Sequence, residues 1–433
     1  MAIDTGLDTI FTTSASSIKF GIGATNELGY ELKRLGVKNT LIITDKNIVE
    51  IGLAEKVKAI IENEDIKADI YSDVHIEPTD TSVKDAINFT KNALNPYDGF
   101  VGLGGGSCID TAKAVNLYTS FPADLLDYIS PPVGKGIKVP GPLKPLIGVP
   151  TTAGTGSEGT TVIIIDLEAQ NIKIGISMPC VRPTMGIIDP LNTLTMPPLV
   201  TASTGMDVFT HSMEAYTAIP YTSRPKPKTP ADRPVYVGSN PISDAVAVMA
   251  IEIVGKYLRR AVTNGRDLEA RTQMLIGATL AGLGFGNAGV HIPHSMAYPV
   301  AGMIHHKTWI PPDYNLEYPM APHGLACTIG SPAVTKFTAC TDFEKHALMA
   351  EMLGEDIEGL PLRDAAMLLP EAIIKLMQDI NFPNGLIEMG FNESEIPQLV
   401  QGTLKQQRTL SCSPRPVTAK DLEIMFAESM SFW

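Results

Sequence analysis

"DGFVGLGGGSCIDTAK", residues 98–113, is the stretch whose reading decides the fold. A short apolar run ends in consecutive glycines, and a helix-forming segment follows at once. Glycines directly after a strand, opening a helix, let backbone N–H groups approach a phosphate, and the helix N-terminus adds partial positive charge. The spacing is neither the usual dinucleotide fingerprint nor a P-loop, since no Gly-Lys-Ser/Thr follows. A tight structural turn would use the same glycines, but the strand before and the helix after favour phosphate binding. Gly104, Gly105, Gly106, Ser107 and Asp110 are therefore candidate cofactor contacts.

Outward from this motif, strands and helices alternate. "NTLIITD" (39–45) and "ADIYSDV" (68–74) are apolar, β-branched runs, each followed by a segment of helical period, "GLAEKVKAIIENE" (52–64) and "TSVKDAINFTKNAL" (81–94). "PLIGVPTTAG" (145–154) and "TTVIIID" (160–166) add strands, the second paired in a hairpin with "IKIGIS". Such alternation predicts an α/β domain with a parallel sheet and helices on both faces. Asp45 ends the first strand, where a carboxylate can bond ribose hydroxyls and repel a 2′-phosphate, favouring NAD(H) over NADP(H). A helix cap would place the same aspartate there. "PTTAGTGSE" (150–158) is a second glycine- and hydroxyl-rich loop, and its Thr151, Thr152 and Thr155 are further candidate contacts. Two such loops in one sheet fit a dinucleotide better than a mononucleotide.

Beyond about residue 196 the period becomes helical throughout, in "PPLVTASTGMDVFTHSMEAYTA", "ISDAVAVMAIEIVGKYLRRAV", "LEARTQMLIGATLAGLGFG" and "LRDAAMLLPEAIIKLMQDI". Two domains are expected, 1–196 binding the dinucleotide and 197–433 mostly helical. "IPYTSRPKPKTPADRPVYVGSNP" (219–241) interrupts the second as a long Pro-, Lys- and Arg-rich loop. The chain of 433 residues is 44% hydrophobic and 19% charged, with net charge −13. That balance argues against nucleic acid or an anionic membrane as main partner. No run of about 18 apolar residues provides a membrane span. Five scattered cysteines without CxxC spacing read as reduced thiols, and the N-terminus lacks the marks of a targeting peptide, so a cytoplasmic protein is expected.

The helical half carries the metal chemistry. In "GMDVFTHSMEAY" (205–216), Asp207 and His211 stand four apart on one helix face, with Glu214 close by. An Asp–His hydrogen bond would explain that pair alone. However, five of the eight histidines fall between 291 and 323, and His294 and His323 would complete a one-Asp, three-His site. Neutral imidazoles with one carboxylate suit Fe(II) or Zn(II) and leave the ion positive enough to act as a Lewis acid.

Together, "GGGSCIDTAK", "PTTAGTGSE", "GIIDPLNTLTMPP", "TGMDVFTHSMEAY" and "APHG", in that order, resemble the iron-containing (group III) alcohol dehydrogenase family over nearly the whole chain. The resemblance implies the dehydroquinate synthase-like/iron alcohol dehydrogenase architecture, an N-terminal α/β dinucleotide domain with an all-helical C-terminal domain, and a divalent metal, Fe2+ before Zn2+. Its ligands would be Asp207, His211, His294 and His323, and a homodimer is the family expectation. Glu214 and Lys173 would support the ligands or contact the ribose. Hydride would pass between a small alcohol, hydroxyacid or oxoacid and the nicotinamide.

Further stretches, "PPVGKGIKVPGPLKPLIGVPTT", "GSNPISDA", "FGNAGVHIPHSMAYPVAGM" and "DYNLEYPMAPHG", are similar to the hydroxyacid–oxoacid transhydrogenase branch. That branch oxidises 4-hydroxybutyrate to succinate semialdehyde while reducing 2-oxoglutarate to 2-hydroxyglutarate. In that reading the 219–241 loop presents Arg224, Arg233 or a lysine to a substrate carboxylate. The alternatives are a general NAD-dependent alcohol dehydrogenase and a dehydroquinate synthase-like lyase. Two departures stand out. Tyr298 occupies the place where many family members have a second histidine, and 28 residues separate His294 from His323, which makes His291, His305 and His306 rival ligands.

Overall fold

The computed structural model describes residues 6–129, 133–168 and 172–433. Pro131 and Pro132 of the quoted "PPVGKG", and the first five residues, lie outside the described residues. The chain divides into two compact units, Ala15–Thr195 and Met196–Trp433, and the described residues up to Ser14 join the second.

In the first unit a six-stranded sheet contains β1 (Ser17–Phe20), β2 (Asn39–Ile43), β3 (Lys67–Tyr71), β4 (Gly99–Gly104), β5 (Leu146–Pro150) and β8 (Met185–Ile188). The order is β1-β8-β5-β4-β2-β3, and every pairing is parallel. Helices α1 (Leu28–Arg34), α2 (Lys46–Glu50), α3 (Leu53–Glu62), α4 (Asp80–Lys91) and α5 (Gly106–Ser120) connect the strands. Strand alternation sorts the core into two layers. Leu41, Ile43 and Phe100 pack with Val83 and Val115, whereas Ile42, Val101 and Leu103 pack with Leu28, Val57 and Ile61. Each such fully buried side chain contributes roughly 1.5–3 kcal/mol. From β2 the chain moves outward to β3, then returns to place β4 on the other side of β2. The reversal falls between β2 and β4, and in open α/β sheets ligands bind outside the carboxyl ends of strands at such a point. β6 (Val162–Leu167) and β7 (Ile172–Ser177) form the expected antiparallel hairpin apart from the sheet. β1 and β8 went unread because four-residue strands carry too little period to stand out, and β1 is largely exposed at the sheet edge.

The second unit is helical. Its main elements are α6 (Pro198–Thr217), α7 (Pro241–Thr263), α8 (Leu268–Ala288), α9 (Ile292–Met303) and α10 (His323–Ile329). α6 is buried on nearly every side, against α7, α8 and α10, so it is a core helix and not an amphipathic surface one. The segment read as one helix over 362–380 is two, Leu362–Ala366 and Leu369–Asp379, with a proline opening the second. The 219–241 loop holds two short turns and is tied down by the N-terminal segment. Asp8 N–H donates to Arg224 O at 2.8 Å and Lys226 N–H to Gly6 O at 3.0 Å. Those bonds place residues 6–14 with the helical unit, although a 1–196 domain assigned them to the first. No single helix among the described residues is long and apolar enough to cross a membrane.

Candidate active site

In the first unit the candidate site residues are held by backbone. Gly104 adopts φ +145°, and a Cβ there would meet Cys108 Sγ at 2.4 Å, so only glycine fits. Gly105 then caps α5, and a Cβ on Gly106 would lie 2.7 Å from Thr155. The two loops read from the sequence therefore touch, and Thr151 N–H donates to Gly104 O at 3.0 Å. Gly105, Gly106, Ser107, Thr152 and Thr155 remain partly exposed, leaving a cradle at the head of α5 that phosphate oxygens could enter. Asp45 caps α2 through Ile48 N–H at 3.2 Å and also accepts from Cys108 Sγ at 3.3 Å. It is thus both the helix cap and a carboxylate beside the cradle.

Asp110 does not face the cradle as a free acceptor. Its carboxylate takes Lys113 Nζ at 3.0 Å, Ile164 N–H at 2.9 Å and the Ser157 hydroxyl. Lys113 is fully buried and also donates to Ser157 Oγ at 2.7 Å and Val162 O at 2.8 Å. Burial pushes its ammonium below the usual lysine range against the pull of Asp110. Asp110 and Lys113 thus brace one loop against the other, a role that needs the fold to be seen. Lys173 is likewise buried and paired with Glu77, whose N–H donates to Ser107 Oγ at 3.1 Å. It stands one residue removed from the glycine loop.

Within the second unit, side chains from α6, α9 and α10 form a centre of their own. Asp207 Oδ1 lies 3.6 Å from His211 Nδ1 and 3.9 Å from His294 Nε2. These separations are too long for hydrogen bonds. Two donors about 2.1 Å from one tetrahedral ion stand roughly 3.4 Å apart, which is close to what is seen. Among the described residues, His211 Nδ1 and His294 Nε2 are buried without a hydrogen-bond partner, a cost that a bound cation would remove. Asp207, His294, His323 and Cys327 all offer donor atoms within 4.8 Å of one another. His211 is outside that set, with its ring 6.4 Å from that of His323, and it is fixed by stacking on Phe285 at 3.8 Å.

Electrostatics act on the two buried imidazoles in opposite directions: burial alone would lower the pKa of His294, but the Glu214 charge and hydrogen bond outweigh it and raise that pKa. Burial, then the neighbouring His294 and His323, hold His211 far below its ordinary pKa, so its lone pair is free. Burial lifts the Glu214 carboxyl, but the His294 charge and hydrogen bond outweigh it and leave Glu214 ionised. Glu214 accepts from His294 Nδ1–H and from His291 N–H at 2.6 Å, so Nε2 of His294 is the ring nitrogen aimed at Asp207.

The rival histidines are used elsewhere. His291 bonds Thr217 Oγ1 at 2.9 Å and accepts from Ile292 N–H at 2.8 Å, and burial lowers its pKa to about 4. His305 and His306 are exposed on a turn. Cys327 was missed; its spacing of four from His323 on a helix was the available signal. Arg233 donates to Asp8 from Nε at 2.8 Å and Nη2 at 3.1 Å, which engages one edge of its guanidinium. Arg224 donates to Cys412 Sγ at 3.1 Å.

A glycine cradle at the switch point, together with buried imidazoles and a carboxylate facing one point, is the equipment of a metal- and dinucleotide-dependent enzyme. Residues 15–190 match the family model for iron-containing alcohol dehydrogenase, and residues 235–430 match that for the Fe-containing alcohol dehydrogenase family, C-terminal. The chain belongs to the iron-containing alcohol dehydrogenase family. It is a metal-dependent oxidoreductase, and membership implies a divalent metal and a nicotinamide cofactor. Over 428 residues it is 46% identical to the mitochondrial hydroxyacid-oxoacid transhydrogenase of Mus musculus, covering 98% of this chain and 91% of the relative. Among solved structures it resembles a 1,3-propanediol oxidoreductase, with TM-score 0.84, 30% identity, and coverage of 97% and 100% of the two chains. It also resembles the sulfoacetaldehyde reductase of Bifidobacterium kashiwanohense in complex with NAD+, with TM-score 0.79, 26% identity, and coverage of 98% and 100%.

Proposed function

We propose that this protein is a hydroxyacid–oxoacid transhydrogenase. It oxidises 4-hydroxybutyrate to succinate semialdehyde and uses the same hydride to reduce 2-oxoglutarate to 2-hydroxyglutarate, with the nicotinamide retained between the two halves. The observation that carries this reading is the 46% identity, over nearly the full length of both chains, with relatives of that name. The match to alcohol dehydrogenase models leaves the lyase alternative without support.

In this reading Asp207, His211, His294 and His323 hold the metal, with Cys327 beside them. When bound, the ion supplies Lewis acidity to the substrate oxygen, and the nicotinamide supplies a hydride acceptor. Glu214 keeps the proton of His294 on Nδ1, so that Nε2 stays a donor. Gly104, Gly105, Gly106, Ser107 and the threonines 151, 152 and 155 receive the pyrophosphate and ribose, while Asp110 and Lys113 keep their two loops in register. Asp45 favours NAD(H) over NADP(H) by charge. Iron is preferred over zinc on the family resemblance. A homodimer belongs to the same proposal.

The compartment is open to test as well. All five cysteines are free thiols, which fits the reducing cytoplasm read from composition, whereas the relatives are named as mitochondrial. Fractionation of the producing cells decides between the two. The main experiment mixes metal-loaded protein with 4-hydroxybutyrate and 2-oxoglutarate, adding no cofactor. Succinate semialdehyde and 2-hydroxyglutarate in equal amounts are expected. Turnover that appears only with added NAD(H) would make the protein an ordinary alcohol dehydrogenase.

A further inference from the structure

Arg408, on the short helix Gln407–Leu410, is a cation with no carboxylate among its strongest electrostatic neighbours in the described residues. Its Nη2 donates to the Tyr298 phenol oxygen at 3.1 Å, and its guanidinium lies 5.1 Å from the centre of the Tyr236 ring. The groups that act most strongly on its charge are Tyr236, Tyr298 and Cys412, and none is a carboxylate. Nη1 is buried and has no hydrogen-bond partner among the described residues. A guanidinium in that state is costly unless an anion arrives to meet it.

Its place in the fold says which anion. Tyr298 follows His294 by one turn of α9, on the same face. Arg408 therefore sits beside the carboxylate–imidazole centre while belonging to none of its ligands.

We propose that Arg408, oriented by Tyr298, binds the substrate carboxylate that lies three carbons from the reacting carbon. The proposal rests on the transhydrogenase reading. The two substrates differ at the reacting end but share this distance. In 4-hydroxybutyrate the carbinol is C4 and the carboxylate C1; in 2-oxoglutarate the ketone is C2 and the far carboxylate C5. One fixed cation can thus hold either molecule with its reacting carbon in the same position, which an enzyme running both halves at one centre requires. Arginine suits the task because its planar fork meets a carboxylate at two points.

The test compares 4-hydroxybutyrate with butan-1-ol, which has the same carbon chain without the carboxylate, in metal-loaded wild type, Arg408→Leu, Arg408→Lys and Tyr298→Phe. The ratio of kcat/KM values, acid over alcohol, is expected to fall on the order of 100-fold in Arg408→Leu, mainly through KM. Arg408→Lys should recover part of that loss, and Tyr298→Phe should lose a few-fold. Succinate, an unreactive dianion, should compete in wild type and cease to compete in Arg408→Leu. An unchanged ratio, equal losses on both substrates, or undiminished succinate inhibition overturns the proposal. Should a thermal melt show Arg408→Leu unfolded, an unchanged ratio in both Arg408→Lys and Tyr298→Phe overturns it instead. Wild type that oxidises butan-1-ol but no hydroxyacid overturns the transhydrogenase reading itself, before any variant is made.

Discussion

The cradle and the carboxylate–imidazole centre are built from opposite materials. The cradle is largely backbone: three consecutive glycines at the head of one helix, against a loop at 151–155 that the fold brings alongside. The centre is side chains from three helices, brought together across more than a hundred residues from Asp207 to His323. A backbone site fails when a Cβ intrudes, because space is what it offers. A side-chain site fails when a donor is lost or misaimed, because lone pairs are what it offers. The first is local and hard to tune; the second is dispersed and tuned by neighbours such as Glu214.

That contrast can be broken by substitution. The largest effect is expected from Asp207→Ala, which should bring metal content, read by elemental analysis, and turnover down to background together. Retention of both would remove Asp207 from the ligand set. Next, Gly104→Ala should cost about 1–3 kcal/mol of stability through the left-handed backbone and the Cys108 clash. It should weaken NAD(H) binding, followed by nicotinamide fluorescence, and leave metal content alone. If metal were lost as well, the two sites would not be separable in the way described. Glu214→Gln keeps shape but removes the charge that fixes His294, so metal affinity should fall about 10–100-fold. A competition titration with a chelator reads it, and an unchanged affinity would make Glu214 a packing residue. The smallest effect is expected from Asp45→Ser, shifting the NADP(H)-to-NAD(H) preference about tenfold, or roughly 1.4 kcal/mol. No shift would leave Asp45 as a helix cap only.

Legibility followed the same division. The cradle could be read in the sequence because strand, glycines and helix are contiguous, and each residue's part follows from its neighbours. Asp110 was read there too, but as a contact, since nothing local shows that Ser157 and Ile164 take up its oxygens. For the centre, Asp207 and His211 were visible through helical spacing, and the clustered histidines gave a choice among five. The family resemblance put His294 ahead of His291, and packing supplies the physical reason, by turning one ring toward Asp207 and the other toward Thr217. Arg408 had no local signal at all. It is one arginine in a short polar helix, and its meaning lies in strongest neighbours, among the described residues, that include no carboxylate.

The order of strands, glycine turns and long helices was determined by the sequence itself, because period and turn chemistry act within a few residues of each other. Which buried groups face one another was decided by the tertiary structure alone. Burial, lone-pair direction and an uncompensated charge are properties of neighbours, and residues 80 or more positions apart become neighbours only once the chain has folded.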